Sequence, residues 1–283
     1  MTRLIESLAE IAADYDALYC DVWGCYHDGL RPYPAAVAAL QAFRAGGGAV
    51  LLLTNAPRPG TEVAAHLAGM RAPEDSRDAI VSSGDAARFE VARGAFGRRV
   101  EHVGPPRDLP FFDGLDVARV ARAQAESVVV TGLYDDETET PEDYAAAIAD
   151  WRARGFRMLC ANPDIVVDRG DRRLWCAGAI AELYAQAGGE VVHAGKPHPP
   201  IYRLAAERLT ELGVGGARVL AVGDGIATDV AGAAAHGIDT LFVTGGLMAE
   251  AFGPDPERPD PERLERWIMT QPVRPTYAIG RLR

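Results

Sequence analysis

Apolar residues recur along the chain in two alternating patterns: short continuous runs bounded by turn residues, and longer Ala-rich stretches with helical spacing. Continuous apolar runs read as strands buried on both faces, whereas apolar positions three and four apart read as one face of a helix. Ala17 to Cys20 (ALYC) is the first strand; it ends in Asp21, and Gly24 follows where the chain must turn. Tyr33-Pro34 leads into AAVAALQAFRAGGG, a helix closed by glycines suited to C-cap geometry, and AVLLLTN follows at once as a strand ending in Thr54-Asn55. Strand, helix and strand within about 40 residues predict a βαβ unit with a parallel sheet.

The alternation continues to the end of the chain. TEVAAHLAG reads as a helix with Thr61 as N-cap, AIVSS as a strand, GDAARFEVARG as a helix and SVVVTG as a strand. A helix starts at Thr140-Pro141 and runs to about Arg154; FRMLC is a strand ending in the turn Asn162-Pro163-Asp164, and Leu174 to Ala187 reads as a helix. Then come strand EVVHAGKP, helix HPPIYRLAAERLTELG, strand ARVLAVGDG, helix ATDVAGAAAHG, strand DTLFVTGG, helix PERLERWIMTQ and a final TYAIG. VGPPRDLPFFDG reads as loop or domain-crossing chain, Asp135 to Glu139 as a solvated acidic loop, and MTRLIESLAEIAADYD as a short amphipathic helix. No repeat of solenoid or propeller period is present.

Composition narrows the class. A chain of 283 residues holds one large or two modest domains, and its 48% apolar and 24% charged content is ordinary for a soluble globular protein. The net charge of −11 argues against a nucleic-acid partner and requires that an anionic substrate be held by a local site. Cys20, Cys25, Cys160 and Cys176 show no CxxC spacing, so reduced, buried thiols in a cytoplasmic protein are expected, and a zinc site is not. No apolar run approaches the roughly 20 residues that span a bilayer. The N-terminal stretch lacks a signal-peptide core, so no membrane partner is expected.

Four strands end in groups that carry chemistry. Asp21 closes the first, Thr54-Asn55 the second, Lys196 follows a third, and Asp224 with Asp229 follows a fourth. Taken singly, each has an ordinary structural account as a cap, a turn or a surface lysine. Taken together, they fall at carboxyl ends of successive parallel strands, where ligand crevices form in α/β folds. Two carboxylates suit a hard cation such as Mg²⁺. A lysine and helix N-terminal amides suit a phosphoryl group, and a carboxylate facing the phosphorus suits covalent catalysis.

These segments resemble the four motifs of the haloacid dehalogenase superfamily, in order and spacing, and match its class IIA branch of nitrophenyl-phosphate, pyridoxal-phosphate, glycerol-phosphate, sugar-phosphate and nucleotide phosphatases. The resemblance rests on DVWG with HDGLRPYP, LLLTN, the NPD turn, AGKP-x-x-x-x-Y from Ala194 to Tyr202, VGDGIATDVAGAAAHG and RPTYAIGRL. It implies an α/β fold: a Rossmannoid parallel-sheet core, residues 1–79 with 191–283, and an inserted α/β cap over 80–190 that sets specificity. It further implies that Asp21 is nucleophile and Mg²⁺ ligand, that Trp23 offers its backbone carbonyl, and that Asp224 is a metal ligand with Asp229 behind it. Thr54 and the Asn55 amide would bind phosphate, Lys196 would balance its charge, and Asn162 and Asp164 would approach the substrate. The implied substrate is a small phosphorylated metabolite, and a cap-mediated homodimer would fit the branch.

One position departs from the pattern. The phosphatase branch carries a second aspartate two residues after the nucleophile, as acid for the leaving group and base for the water; here Trp23 stands there, and an indole does neither. His27 or Asp28, just beyond the turn, would be the replacement. The other readings are a weak or inactive phospho-ligand-binding protein and a dehalogenase-like hydrolase, whose branch has an aromatic residue at this position but needs no Mg²⁺.

Overall fold

The computed structural model describes residues 2–169 and 172–283. By internal contacts the chain divides into two compact units, one of Met1–Thr54, Ala64–Val81 and Tyr202–Arg283, the other of Asn55–Val63 and Ser82–Ile201.

The first unit is built on a seven-stranded sheet in the order Arg3–Leu4, Tyr277–Ile279, Asp239–Val243, Val219–Gly223, Ala17–Cys20, Ala49–Thr54, Ala79–Ser82. The strands Ala17–Cys20 and Ala49–Thr54 are buried at every residue, which is why they read as continuous apolar runs and not as alternating ones. Register is fixed by parallel pairing: Cys20 lies opposite Val222 on one side and Leu52 on the other. Asp21, Thr54 and Asp224 therefore leave the sheet at the same carboxyl edge. Helix Pro34–Ala45 begins with proline at its first turn and buries Ala36, Val37, Leu40 and Phe43, a stripe spaced three and four apart. Helix Pro261–Met269 is capped by the Asp260 carboxylate, which accepts from the N–H groups of Glu262 and Arg263, and it buries Leu264 and Ile268. Those two side chains join Val230, Phe242, Phe252 and Ala278 in one cluster.

The second unit has a five-stranded parallel sheet, Glu190–His193, Arg157–Cys160, Ser127–Val130, Arg99–Val103, Ala118–Arg119. A two-stranded antiparallel hairpin, Val166–Arg169 with Arg172–Trp175, accompanies it. Its core gathers Val128, Val130, Met158 and Cys160 from the sheet with Trp151 and Tyr184 from the helices Ala145–Arg154 and Ala177–Gln186. The buried Glu101 carboxylate takes two groups at once, the Trp151 indole N–H at 2.7 Å and the Arg122 guanidinium at 2.9 to 3.0 Å.

Several segments differ from the sequence expectation. The N-terminal stretch is not a helix. After the short strand Arg3–Leu4 it forms two single 3-10 turns, Leu8–Glu10 and Ala12–Asp14, because the Glu10 carboxylate closes the first turn on the N–H groups of Glu6 and Ser7. Leu174 and Trp175 belong to the hairpin, and the helix starts only at Ala177. VGPPRDLPFFDG holds a 3-10 segment, Pro106–Phe112, following strand Arg99–Val103. Among the described residues no helix is long and apolar enough to cross a membrane.

Candidate active site

The Asp21 N–H donates to the Val222 carbonyl at 2.8 Å, extending the ladder one residue past the strand. The chain then folds sharply back: Tyr26 and His27 both donate to the Val22 carbonyl, at 2.9 and 3.0 Å, and Gly24 donates to the His27 carbonyl at 2.9 Å. Gly24 sits at φ +81°, which a residue with a Cβ adopts only with strain. Space dictates the same choice, since a methyl at Gly24 would overlap the Asp224 carboxylate, as would one at Gly246. Asp224 follows strand Val219–Gly223, and its Oδ2 accepts the Leu247 N–H at 2.8 Å. Asp229 lies in the π-turn Ile226–Val230, where its Oδ2 accepts from the Gly225 N–H at 3.1 Å and the Thr228 hydroxyl at 3.3 Å.

Asp21, Asp224 and Cys25 form one buried group, each offering a ligand atom within 4.8 Å of the others. Two carboxylate oxygens suit a hard divalent cation, so the residues present fit Mg²⁺ or Ca²⁺. Cys25 is a member of this group that the sequence did not single out. Its thiol is 1% exposed, and burial together with the Asp224 and Asp21 charges pushes its pKa well up, so with no cation present it is a neutral S–H. Its position four residues after Asp21, inside the turn, was the available signal.

The residues after the turn are held in a tight flap. The Trp23 and His27 rings meet edge-on, with centroids 5.1 Å apart at 72°, and a methyl at Gly29 (φ +88°) would overlap the Trp23 indole. His27 is buried, its Nδ1 accepts the Gly29 N–H at 2.9 Å, and its other ring nitrogen therefore carries the proton. Burial, reinforced by His66, pushes its pKa down to about 4, so the ring is neutral near pH 7. The Asp28 carboxylate accepts the Leu30 and Arg31 N–H groups, each at 2.8 Å. Partial burial works to raise its pKa, but those bonds and the Arg31 charge outweigh it and hold the group below the usual range.

In the second unit Asn55 clamps the Lys196 peptide from both sides. Its Oδ1 accepts the Lys196 N–H at 2.7 Å, and its Nδ2 donates to the Lys196 carbonyl at 3.0 Å. The same Nδ2 donates to Asp164 Oδ1 at 2.8 Å, and the Asn162 side chain accepts the Asp164 N–H at 3.1 Å. Asn55, Asn162, Asp164 and Lys196 thus form one connected network, with Asn55 and Lys196 almost fully buried. The Asn55 side-chain amide is engaged there, which leaves its main-chain N–H as the group free of that network. Gly195 is required beside it, because a methyl would overlap Asn55 Oδ1 and Ser83 Oγ. Thr54, 7% exposed, ends its strand at the same edge of the first unit as Asp21.

Residues 18–118 match the family of haloacid dehalogenase-like hydrolases, and residues 193–264 match a second family described as HAD-hydrolase-like. The chain is 30% identical over 243 residues to a D-glycerol 3-phosphate phosphatase of Mycobacterium tuberculosis, an alignment covering 85% of this chain. It spans 66% of the length of that curated relative. Among solved structures, a hydrolase of the haloacid dehalogenase-like family from Brucella suis 1330 is 42% identical, with a TM-score of 0.88 and coverage of 99% of this chain and 100% of that one. A glycerol phosphate phosphatase from Mycobacterium tuberculosis in complex with magnesium is 27% identical, with a TM-score of 0.70 over 97% of this chain and 77% of that one. Likeness over the full length of the Brucella protein, joined to the motif-bearing strand ends, places the chain in the haloacid dehalogenase-like hydrolase family.

Proposed function

We propose that the chain is a divalent-cation-dependent phosphatase of small phosphorylated metabolites, working in the cytoplasm with Asp21 as nucleophile. The observation that carries this is the convergence of Asp21 and Asp224 at the carboxyl edge of two adjacent strands, with glycines at 24 and 246 leaving the carboxylate unobstructed. The kinship with a D-glycerol 3-phosphate phosphatase supports a phosphorylated three-carbon or sugar-like substrate.

In this reading an Asp21 oxygen attacks phosphorus, the P–O bond to the leaving group breaks, and water then cleaves the aspartyl-phosphate to release inorganic phosphate. A cation bound at Asp21, Asp224 and the Trp23 carbonyl, Mg²⁺ by preference, would neutralise charge on the phosphoryl oxygens. Asp229 braces the turn that carries Asp224 through its bond to the Gly225 N–H. Thr54 and the Asn55 N–H bind phosphoryl oxygens, and Lys196 is the cation assigned to the phosphate. Asn162 and Asp164 are the cap residues assigned to the substrate. The leaving oxygen lacks a carboxylic acid at position 23. Of the two replacements, His27 as a neutral imidazole has an N–H with which to hydrogen-bond the leaving oxygen, and Asp28 is engaged as a carboxylate in its own loop.

Nitrophenyl phosphate tests the reading, because its leaving group scarcely needs a proton. Sustained release of nitrophenolate with Mg²⁺, abolished by EDTA and by Asp21→Asn, is the expected result. A single burst followed by a stall would show that Asp21 is phosphorylated and that nothing activates the water. A second reading, a phospho-ligand-binding protein with little turnover, is favoured by one observation: the Trp23 indole packs on His27 and Gly29, and position 23 brings no carboxylic acid. Mg²⁺-dependent phosphate binding without burst or turnover would select it.

A further inference from the structure

Resting on the metal site proposed above, we infer that Cys25 makes this centre a mixed oxygen–sulfur site, which takes a thiophilic divalent cation such as Zn²⁺ or Cd²⁺ through a thiolate bond in competition with Mg²⁺. Three features carry the inference. The Cys25 sulfur and one oxygen each of Asp21 and Asp224 lie within 4.8 Å of one another, a spacing that small side-chain adjustments bring to the roughly 3.6 Å separating S and O donors on one tetrahedral ion. The thiol is 1% exposed and belongs to the same buried group as the two carboxylates, out of reach of solvent. Cys25 also sits in the turn pinned by the Val22 carbonyl, so the sulfur is positioned by backbone and not by a mobile loop.

The chemistry separates cations by softness. Mg²⁺ takes oxygen donors and leaves a thiol alone, whereas Zn²⁺ and Cd²⁺ prefer sulfur. On binding such an ion the S–H bond breaks, its proton passes to solvent, and an S–metal bond forms with no change of oxidation state. Asp21 is then drawn into a closed coordination shell, so the softer ion acts as an inhibitor set by its availability.

The experiment is titration of the metal-free protein with Cd²⁺ alone, read as the ultraviolet thiolate-to-cadmium charge-transfer band, in the wild type and in Cys25→Ser. A band that saturates at one ion per chain and vanishes in Cys25→Ser is expected, with Cd²⁺ affinity falling at least about tenfold more than Mg²⁺ affinity. Equal losses for the two ions would indicate a packing role and overturn the inference, as would a band that persists in the variant. Should Cys25→Ser fail to fold, the cadmium NMR resonance of the wild type decides: a shift typical of oxygen ligands alone overturns it. Nitrophenyl phosphate turnover with Mg²⁺ on the same preparation tests the phosphatase reading separately. Turnover with no thiolate band removes the cysteine ligand and leaves the phosphatase; a band without turnover does the reverse.

Discussion

The Trp23 indole and the His27 imidazole stand edge-on, 5.1 Å between centroids, and share the turn that follows Asp21. The position where the resemblance implies a carboxylate is thus filled by a ring packed into its own flap. Under the proposed function, Trp23→Asp would supply a carboxylic acid beside the leaving oxygen. Alkyl phosphate turnover is expected to rise by about 10²-fold or more, the usual worth of a general acid, while nitrophenyl phosphate turnover changes little. The ratio of the two kcat values measures it, and an unchanged ratio would mean that another group already does the proton transfer.

Asp224 is confined by glycine on either side. Gly246→Ala adds one methyl where the carboxylate lies, at a position whose backbone needs no left-handed conformation. Mg²⁺ affinity is expected to fall about 10- to 100-fold, the scale typical of disturbed ligand orientation, with the fold retained. Calorimetric titration with Mg²⁺, beside a melting curve, separates the two effects.

The Asn55 clamp on Lys196 gives a stability prediction. Asn55→Ala strips three hydrogen bonds from a buried network, two of them to the Lys196 peptide groups. A loss of about 2–3 kcal/mol is expected in urea unfolding, since orphaned buried groups cost their desolvation. Asn55→Asp keeps an acceptor for the Lys196 N–H but sets a second carboxylate against Asp164, so it should not rescue the loss.

Acid stability follows from His27. Its pKa in the folded chain is about 4, against 6.5 for the free side chain. Above about pH 6.5 the ring is neutral in both states and its contribution is complete. As pH falls from there to about 4, the unfolded chain takes up a proton that the folded chain refuses, so stability is lost across that window, by about 3 kcal/mol for this residue. His102 and His193, each also held near 4 by burial, add to the same trend. Melting temperature against pH should therefore fall below about pH 6.5, and His27→Gln should flatten the slope.

The sheet of the first unit was legible because strands buried on both faces have no polar face to blur the pattern, as in ALYC and AVLLLT. Arg99–Val103 was missed for the opposite reason. Its sequence, RVEHV, shows Glu101 and His102, whose partners Arg122, Trp151 and Thr131 come from other parts of the chain. The N-terminal stretch misled because its apolar spacing is helical, while Glu10 closes a single turn and stops propagation. Within the site, Asp21, Thr54 and Asp224 were readable as residues at strand ends. Cys25 was not, because a thiol counts as an ordinary core residue until the carboxylates around it are known.

The Asp21 amide, bonded to the Val222 carbonyl beyond the end of an interior strand, has a thermal consequence. Asp21 extends a strand that is paired on both sides, so its amide proton should exchange with deuterium only when the whole sheet opens. Heat or denaturant would then extinguish the proposed catalysis and the fold at the same midpoint, leaving no folded but inactivated species in between.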